Sequence, residues 1–269
     1  MYKETIHNLN DQAVEKYRFF NKAPFRYLLV SIIAGAYVGI GSIMLFAIGE
    51  PLYHTNSPFI DLLTGATFGV ALALVIFAGS ELFTGNNMVF TSSTLSKVTT
   101  WGQTFKLWGW CYLGNLIGSI LLAILVFAAG VFKDIGAAHY MFSIAETKMN
   151  TPIHQLFFQG ILCNWIVCLA IWVSLRVKED IAKMFMIFVL ILAFIAAGFE
   201  HSVANMSILG IALLHSSSEM FTLGGFFYNL IPVTLGNIIG GGVFVAGLYF
   251  AVSFNKGEIH QEKKKRLEG

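Results

Sequence analysis

Long apolar runs without charged residues dominate the chain and alternate with short polar segments. The runs lie at 28–48, 62–79, 107–131, 156–175, 184–198, 206–214 and 226–254. Four of them reach the roughly 20 residues that a spanning helix needs. Runs 184–198 and 206–214 form one span interrupted in its middle, and run 62–79 is followed by a polar interruption at 80–87. The pattern predicts an all-α integral membrane protein with six transmembrane helices, of which the second and fifth are broken.

The composition agrees with a membrane protein. Hydrophobic residues make up 56% and charged residues 12% of the chain, whereas about 25% charged residues are usual in soluble domains. The net charge of +2 gives no electrostatic support for nucleic-acid binding. The three cysteines lie in apolar stretches without CxxC spacing, so no disulfide, metal site or other cofactor is expected.

Lysine and arginine residues are unevenly divided between the two sides of the predicted spans. Fifteen fall in the N-terminal segment, the tail and the loops after spans 2 and 4, whereas Lys133 and Lys148 fall on the other side. Because basic flanks stay in the cytoplasm, both termini of this multi-pass protein are expected on the cytoplasmic side of the cell membrane. The chain then divides into an amphipathic segment at 1–27, a channel domain at 28–254 and a basic tail at 255–269.

Two motifs occur twice at nearly the same offset. The pattern G-x-E-x-x-x-x-N stands at 79–86 and 198–205, and Leu-Gly-Asn-x-Ile-Gly stands at 113–118 and 235–240. Each unit would hold three spans, so the second copy enters the membrane from the opposite face. Inverted three-helix repeats with breaks at matching positions are typical of transporters and channels whose path passes the breaks.

The interrupted spans carry ionisable residues, which are costly inside a membrane and are therefore candidates for function. His201 is the one histidine of seven within a span; a role in the pore is expected, with a neutral core histidine as the alternative. Glu81 and Glu200 occupy equivalent positions in the repeat. Bracing of the breaks, together with Asn86 and Asn205, is therefore favoured over cation binding.

Other residues near the breaks have two interpretations each. Thr84 is a candidate for a mobile gate, with simple helix termination as the alternative. By its spacing alone Lys148 is an ordinary exposed lysine, although a lysine beside an apolar path would attract anions. For four apolar residues the simplest interpretation is packing or contact with lipid, and the alternative is that they form constrictions of a pore: Phe68, Leu72, Val167 and Phe194.

These residues resemble the formate/nitrite transporter family from about residue 28 to 252. The resemblance rests on Lys148 and on Gly-Ser-Glu-Leu-Phe-Thr-Gly-Asn (79–86), Gly-Phe-Glu-His-Ser-Val-Ala-Asn-Met (198–206), Cys-Asn-Trp-Ile-Val-Cys-Leu-Ala (163–170) and Ile-Pro-Val-Thr-Leu-Gly-Asn-Ile-Ile-Gly-Gly-Gly (231–242). It implies an aquaporin-like six-helix protomer in the lipid bilayer and a homopentamer with one pore per protomer. Glu81 and Gly85 resemble the nitrite branch, since formate channels typically carry Asp and Ser there.

The resemblance also implies roles that the residues alone leave open. Thr84 corresponds to a threonine in a flexible loop, His201 to the central pore histidine and Asn164 to a polar residue near the pore centre. Lys148 corresponds to an anion-attracting lysine of the outer vestibule. The implied constrictions are Leu72, Leu82, Phe83 and Val167 on the cytoplasmic side and Phe68 and Phe194 on the periplasmic side.

The expected function is channel-like transport of small monovalent weak-acid anions, formate or nitrite. Hydrosulfide, lactate or acetate are alternative substrates, and a pore for neutral solutes is a further alternative. The sequence leaves open whether the substrate crosses as the neutral acid, with a proton from water or from His201, or as the anion. The sequence contains neither an HExxH nor a GxSG motif, so it gives no indication of an intramembrane enzyme.

Overall fold

The computed structural model describes residues 2–216 and 218–254. The basic tail predicted at 255–269 lies outside the described residues. The described part of the chain is built from helices joined by short loops. The α-helices are α1 Lys3–Lys22, α2 Pro24–His54, α3 Ile60–Ala73, α4 Phe83–Leu95, α5 Trp101–Ala128, α6 Tyr140–Asn150, α7 Ile153–Ser174, α8 Asp180–Ala196, α9 Ser202–His215, α10 Leu223–Ile239 and α11 Leu248–Ser253.

The apolar runs of the sequence fall on these helices. Among the described residues, five helical segments are long and apolar enough to cross a membrane: Pro24–His54, Ile60–Gly79, Trp101–Ala128, Ile153–Ser174 and Leu223–Ser253. Two of them include a π-helical stretch, at Leu74–Gly79 and Gly240–Gly247. The prediction of an all-helical protein with several apolar helices is confirmed.

Two polypeptide segments stop being helical at the repeated G-x-E motifs. Gly79 and Gly198 have φ angles of +79° and +70°, a left-handed conformation that glycine adopts without the penalty that a Cβ brings. The backbone is extended at Leu82 and His201, and α4 and α9 begin at the next residues. We call the non-helical residues Ser80–Leu82 the first break and Phe199–His201 the second break. The first break is shorter than the interruption predicted at 80–87, because residues 83–87 already belong to α4 despite their polar side chains.

In each half of the chain, two long helices cross in close contact next to the break. In the first half α2 crosses α5, and in the second half α7 crosses α10. A Cβ added at Gly118 would lie 1.9 Å from the carbonyl oxygen of Ile32, and one at Gly236 would lie 2.2 Å from that of Phe157. Such backbone contact through small residues is the common way for helices to associate in a membrane.

Helix α1 has one apolar face, as the N-terminal pattern predicts. That face is buried, and its most enclosed residues are Ile6, Leu9 and Ala13. The helix packs mainly against α4, so protein covers the apolar face. This packing brings the polar residues of α1 to the first break.

Candidate functional site

Two vestibules and a small cavity between them lie along the two breaks. The α1 vestibule has a volume of about 400 Å³ and is lined by Lys16 and Glu81 among others. The α6 vestibule has a volume of about 320 Å³, and its lining includes Lys148 and Glu200. The central cavity adjoins the α6 vestibule at Phe68, Phe194 and His201 and the α1 vestibule at Leu82. The three spaces therefore follow one another through the molecule.

The central cavity is apolar and very small. Its volume is about 10 Å³, which is room for about one water molecule. Among the described residues that line it, His201 is the sole polar one; the others are Val38, Phe68, Ala71, Leu72, Leu82, Val167, Ile191 and Phe194. A hydrated ion does not fit in this space, and a bare ion would find one polar partner there.

His201 closes the central cavity from the second break. Its Nδ1 accepts a hydrogen bond from the backbone N–H of Ala204 at 3.0 Å, which caps the start of α9. Because a backbone N–H only donates, Nδ1 carries no proton and Nε2 carries one. Nε2 lies 3.0 Å from the hydroxyl oxygen of Thr84 on α4 and donates to it. His201 is thus a neutral imidazole that joins the two breaks.

Each break holds its glutamate in an ion pair with a lysine. Both carboxylate oxygens of Glu81 lie 2.7 Å from Lys16 Nζ, and the Asn86 amide donates to the same carboxylate at 2.9 Å. The lysine comes from α1, the amphipathic helix that precedes the first half.

The second break repeats this arrangement. Lys148 Nζ, on α6, lies 2.8 Å from Glu200 Oε1, and the amides of Asn205 and Asn229 donate to Glu200 Oε2. The Lys148 and Glu200 side chains are only 14% and 8% exposed, so most of the pair is shielded from solvent. The sequence analysis gave Lys16 no role, because Lys16 precedes the repeated motifs and the residues that carry the family resemblance. The spacing offers no signal either, since it is 65 residues from Lys16 to Glu81 and 52 from Lys148 to Glu200.

Helix α6, which carries Lys148, is anchored at its first turn. The Nδ1 atom of His139 accepts from the backbone N–H of Met141 at 3.1 Å, and Glu50 accepts from the backbone N–H of Tyr140 at 2.7 Å. Burial lowers the pKa of His139, against an opposing effect of the Glu50 carboxylate. The ring therefore stays neutral at pH 7 and keeps the lone pair on Nδ1 that caps the helix.

Two of the predicted site residues lie behind the central cavity. The Asn164 amide donates to the carbonyl oxygens of Thr84 and Asn237, at 3.1 and 2.7 Å, and so supports the residues at the break. The Phe83 ring packs against Tyr112 at a centroid distance of 4.9 Å. Phe68, Leu72, Leu82, Val167 and Phe194, predicted as two constrictions, all line the same cavity.

Two further asparagines, Asn115 and Asn237, also hold the breaks. The sequence analysis used them only as part of the repeated Leu-Gly-Asn-x-Ile-Gly motif and gave them no role. The signal that could have identified them is an asparagine at the same place in both copies of an otherwise apolar motif. For metals, no group of three or more His, Cys, Asp or Glu side chains is placed to hold an ion within the part of the chain that the structure describes.

Comparison with known proteins gives extensive matches. A family model described as "Formate/nitrite transporter" matches residues 3–251. The nitrite transporter NirC of Escherichia coli (strain K12) is 42% identical over 255 residues, which covers 93% of this chain and 92% of NirC. A solved "FNT family ion channel" superposes with a TM-score of 0.89 at 40% identity, covering 94% of this chain and all of that one.

A second solved structure is a "Pentameric formate channel with formate bound". It superposes with a TM-score of 0.75 at 30% identity, and the match covers 86% of this chain and 98% of that one. The relatives found by sequence and the neighbours found by structure therefore agree over nearly the whole length of the described helices.

Proposed function

Because the chain belongs to the formate/nitrite transporter family, we propose that it is a channel-like transporter of formate or nitrite, with the substrate crossing as the neutral weak acid. The relatives are transporters and channels and not enzymes. The observation that carries the proposal is the central cavity, which is apolar except for His201 and separates two vestibules that each hold a lysine.

The energetics of the cavity favour a neutral permeant. Moving an anion out of water into an apolar space carries an effective penalty of several kcal/mol even after relaxation. The protonated acid avoids most of that penalty. His201 Nε2–H, which donates to the Thr84 hydroxyl in this structure, would have to turn from Thr84 to the crossing molecule to serve as its hydrogen-bond donor. Desolvation at the mouth of the cavity promotes uptake of a proton by the substrate. Since the imidazole is already neutral and its Nδ1 is engaged, water is the proton source that we propose.

Lys148 and Lys16 would raise the local concentration of anions in the two vestibules. Each lies in a vestibule lining beside its glutamate, so its ammonium competes between the carboxylate and an arriving anion. The arrangement is the same at both ends of the path, which supports transport in either direction. Glu81, Glu200, Asn86 and Asn205 would brace the breaks. Thr84, predicted as a mobile gate in a flexible loop, lies instead in the first turn of α4 and is buried, so its role would be to hold His201 through its hydroxyl.

The proposed architecture is a six-span protomer of two inverted three-helix repeats with an aquaporin-like fold. Helices α3 and α4 would form the broken second span, and α8 and α9 the broken fifth. The matching contacts of Glu81 and Glu200 in the two halves support the repeat. The pentamer of the related formate channel supports a homopentamer with one pore per protomer, in which residues 28–254 form the channel domain and residues 1–27 the helical N-terminal segment.

The proposed orientation places both termini and the α1 vestibule on the cytoplasmic side of the cell membrane. It rests on the division of basic residues, fifteen against two. A reporter fused after residue 255 should be labelled by an impermeant reagent only once the membrane is opened, with a reporter in the 130–138 loop labelled in intact cells as the control. Labelling of the tail in intact cells would contradict both the orientation and the inverted repeat.

Uptake into proteoliposomes tests the proposed function. We expect uptake of formate and nitrite that increases as the external pH falls, because the fraction of neutral acid rises. The panel includes acetate, lactate, hydrosulfide and chloride, at pH 5.5 and 7.5, with protein-free liposomes as the control. Preference for another weak acid would change the substrate, whereas chloride flux equal to formate flux, or rapid glycerol-driven swelling, would contradict selective weak-acid transport.

A further inference from the structure

Asn115 on α5 ties the first break to two neighbouring helices. Its side chain is fully buried. Its Oδ1 accepts from the backbone N–H of Phe83 at 2.9 Å, and its Nδ2 donates to the carbonyl oxygens of Glu81 and Ser31, at 2.9 and 2.7 Å. Both hydrogens and the oxygen of the amide are therefore in use.

Asn237 on α10 makes the same three bonds in the second half. Its Oδ1 accepts from the backbone N–H of Ser202 at 2.9 Å. Its Nδ2 donates to the carbonyl oxygens of Glu200 and Gly160, at 3.0 and 2.8 Å. Because Asn115 and Asn237 occupy the same place in the repeated motif, the same hydrogen-bonding arrangement fixes both breaks.

In each half the asparagine holds the peptide groups on both sides of one residue. In the first break that residue is Leu82, between the Glu81 carbonyl and the Phe83 N–H. In the second break it is His201, between the Glu200 carbonyl and the Ser202 N–H. Leu82 and His201 are the break residues that line the central cavity, whereas neither asparagine contributes to its lining.

A break in a membrane helix necessarily frees polar backbone groups. Carbonyl oxygens left open to a narrow path are ligands for cations, as in ion-selective filters, and open N–H groups attract anions. Here the carbonyl before the cavity residue and the N–H after it are both bonded to an asparagine side chain. The cavity thus receives one side chain from each break, and these two backbone groups are withheld from the permeant.

We propose that Asn115 and Asn237 are selectivity-determining positioning residues, which keep the backbone of the breaks away from the central cavity and so exclude ions such as chloride and sodium. The proposal rests on the proposed transport of a neutral weak acid. It assigns discrimination against ions to two side chains outside the path. The alternative is that the asparagines only stabilise the helix crossings.

The variants Asn115→Leu and Asn237→Leu separate these possibilities, because leucine has a similar shape and forms none of the three bonds. Purified pentamers, isolated by size, are reconstituted into liposomes, and chloride and sodium conductance is divided by formate uptake at equal protein content. We expect this ratio to rise at least tenfold in both variants. The matched control is Ser119→Ala, since the Ser119 hydroxyl donates to the Gly35 carbonyl at the same α2–α5 crossing, at 3.5 Å, without contacting a break.

A ratio equal to that of the parent in assembled Asn115→Leu and Asn237→Leu pentamers would overturn the proposal. The isosteric variants Asn115→Asp and Asn237→Asp serve if the leucine variants do not assemble, because aspartate keeps the acceptor for the helix N–H and donates at most one hydrogen bond, when its carboxyl is protonated. They should also raise the ratio, and an unchanged ratio would count equally against the proposal. Absence of formate uptake by the parent would instead contradict the proposed function.

Discussion

Replacing Lys148 with glutamate should lower formate and nitrite uptake at least tenfold at low ionic strength. The ammonium of Lys148 pairs with Glu200 at 2.8 Å and is the one positive charge among the described residues that line the α6 vestibule, which also include Asp61. With glutamate at 148, two carboxylates would face each other and an arriving anion would be repelled. Screening lengths fall from about 30 Å at 0.01 M salt to about 10 Å at 0.1 M, so part of the uptake should return as salt is added.

The measurement is initial uptake between 0.01 and 0.5 M salt, normalised to assembled pentamer. Lys133→Glu is the matched control, because Lys133 is an exposed residue outside the α6 vestibule and undergoes the same charge change. The exchange Lys148→Glu with Glu200→Lys restores the pair with its ends reversed. Recovery of uptake in the exchange variant would indicate that uptake depends on the ion pair and not on which position carries the lysine. Full uptake by Lys148→Glu at every salt concentration would contradict attraction of anions by Lys148.

Replacing His201 with leucine should reduce flux by about ten- to a hundredfold. Leucine stands at the equivalent position of the first break, Leu82, so the central cavity would then be lined by apolar side chains alone. Burying a polar molecule without a hydrogen-bond partner costs about 1–3 kcal/mol, and about 1.4 kcal/mol corresponds to a factor of ten. The start of α9 would also lose its cap, worth about 0.5–2 kcal/mol.

His201→Asn distinguishes a hydrogen-bonding role from proton transfer. Asparagine caps helices well and offers N–H donors, but it does not titrate. Because Nδ1 of His201 already accepts from Ala204, taking up a second proton would set two N–H donors against each other. We therefore expect His201→Asn to transport with the pH profile of the parent between pH 5.5 and 8. A profile that flattens in correctly assembled pentamers would show that the imidazole itself passes protons.

The fold followed from the sequence as far as local patterns determine it. Uninterrupted apolar runs predicted several apolar helices, and the repeated G-x-E motif indicated where two helical segments end. The predicted interruption at 80–87 was too long, because α4 begins at Phe83. These features are local, because a helix and its termination depend on neighbouring residues and on the cost of unbonded backbone in lipid.

Contacts between distant elements were not predictable in the same way. Lys16 reaches Glu81 only because α1 packs on α4, and no spacing of residues in the sequence predicts that packing. The amphipathic pattern of residues 1–27 indicated a helix but not which surface it covers. Likewise, the identity of Phe83 did not reveal that its ring turns toward Tyr112 instead of the central cavity. Side-chain direction at a break depends on the bonds of the surrounding helices.

The size of the central cavity has a consequence for the energy supply of a cell. Protons travel quickly along an unbroken file of water molecules, and a space of about 10 Å³ holds about one. At rest the two vestibules are therefore not joined by such a file, and in the proposed mechanism Phe68, Phe194 and Leu82 would move aside before an acid with three non-hydrogen atoms passes. The membrane stays electrically insulated between crossings. Such a pore can let a weak acid leave the cell without opening a continuous path through which protons would leak and dissipate the proton gradient across the membrane.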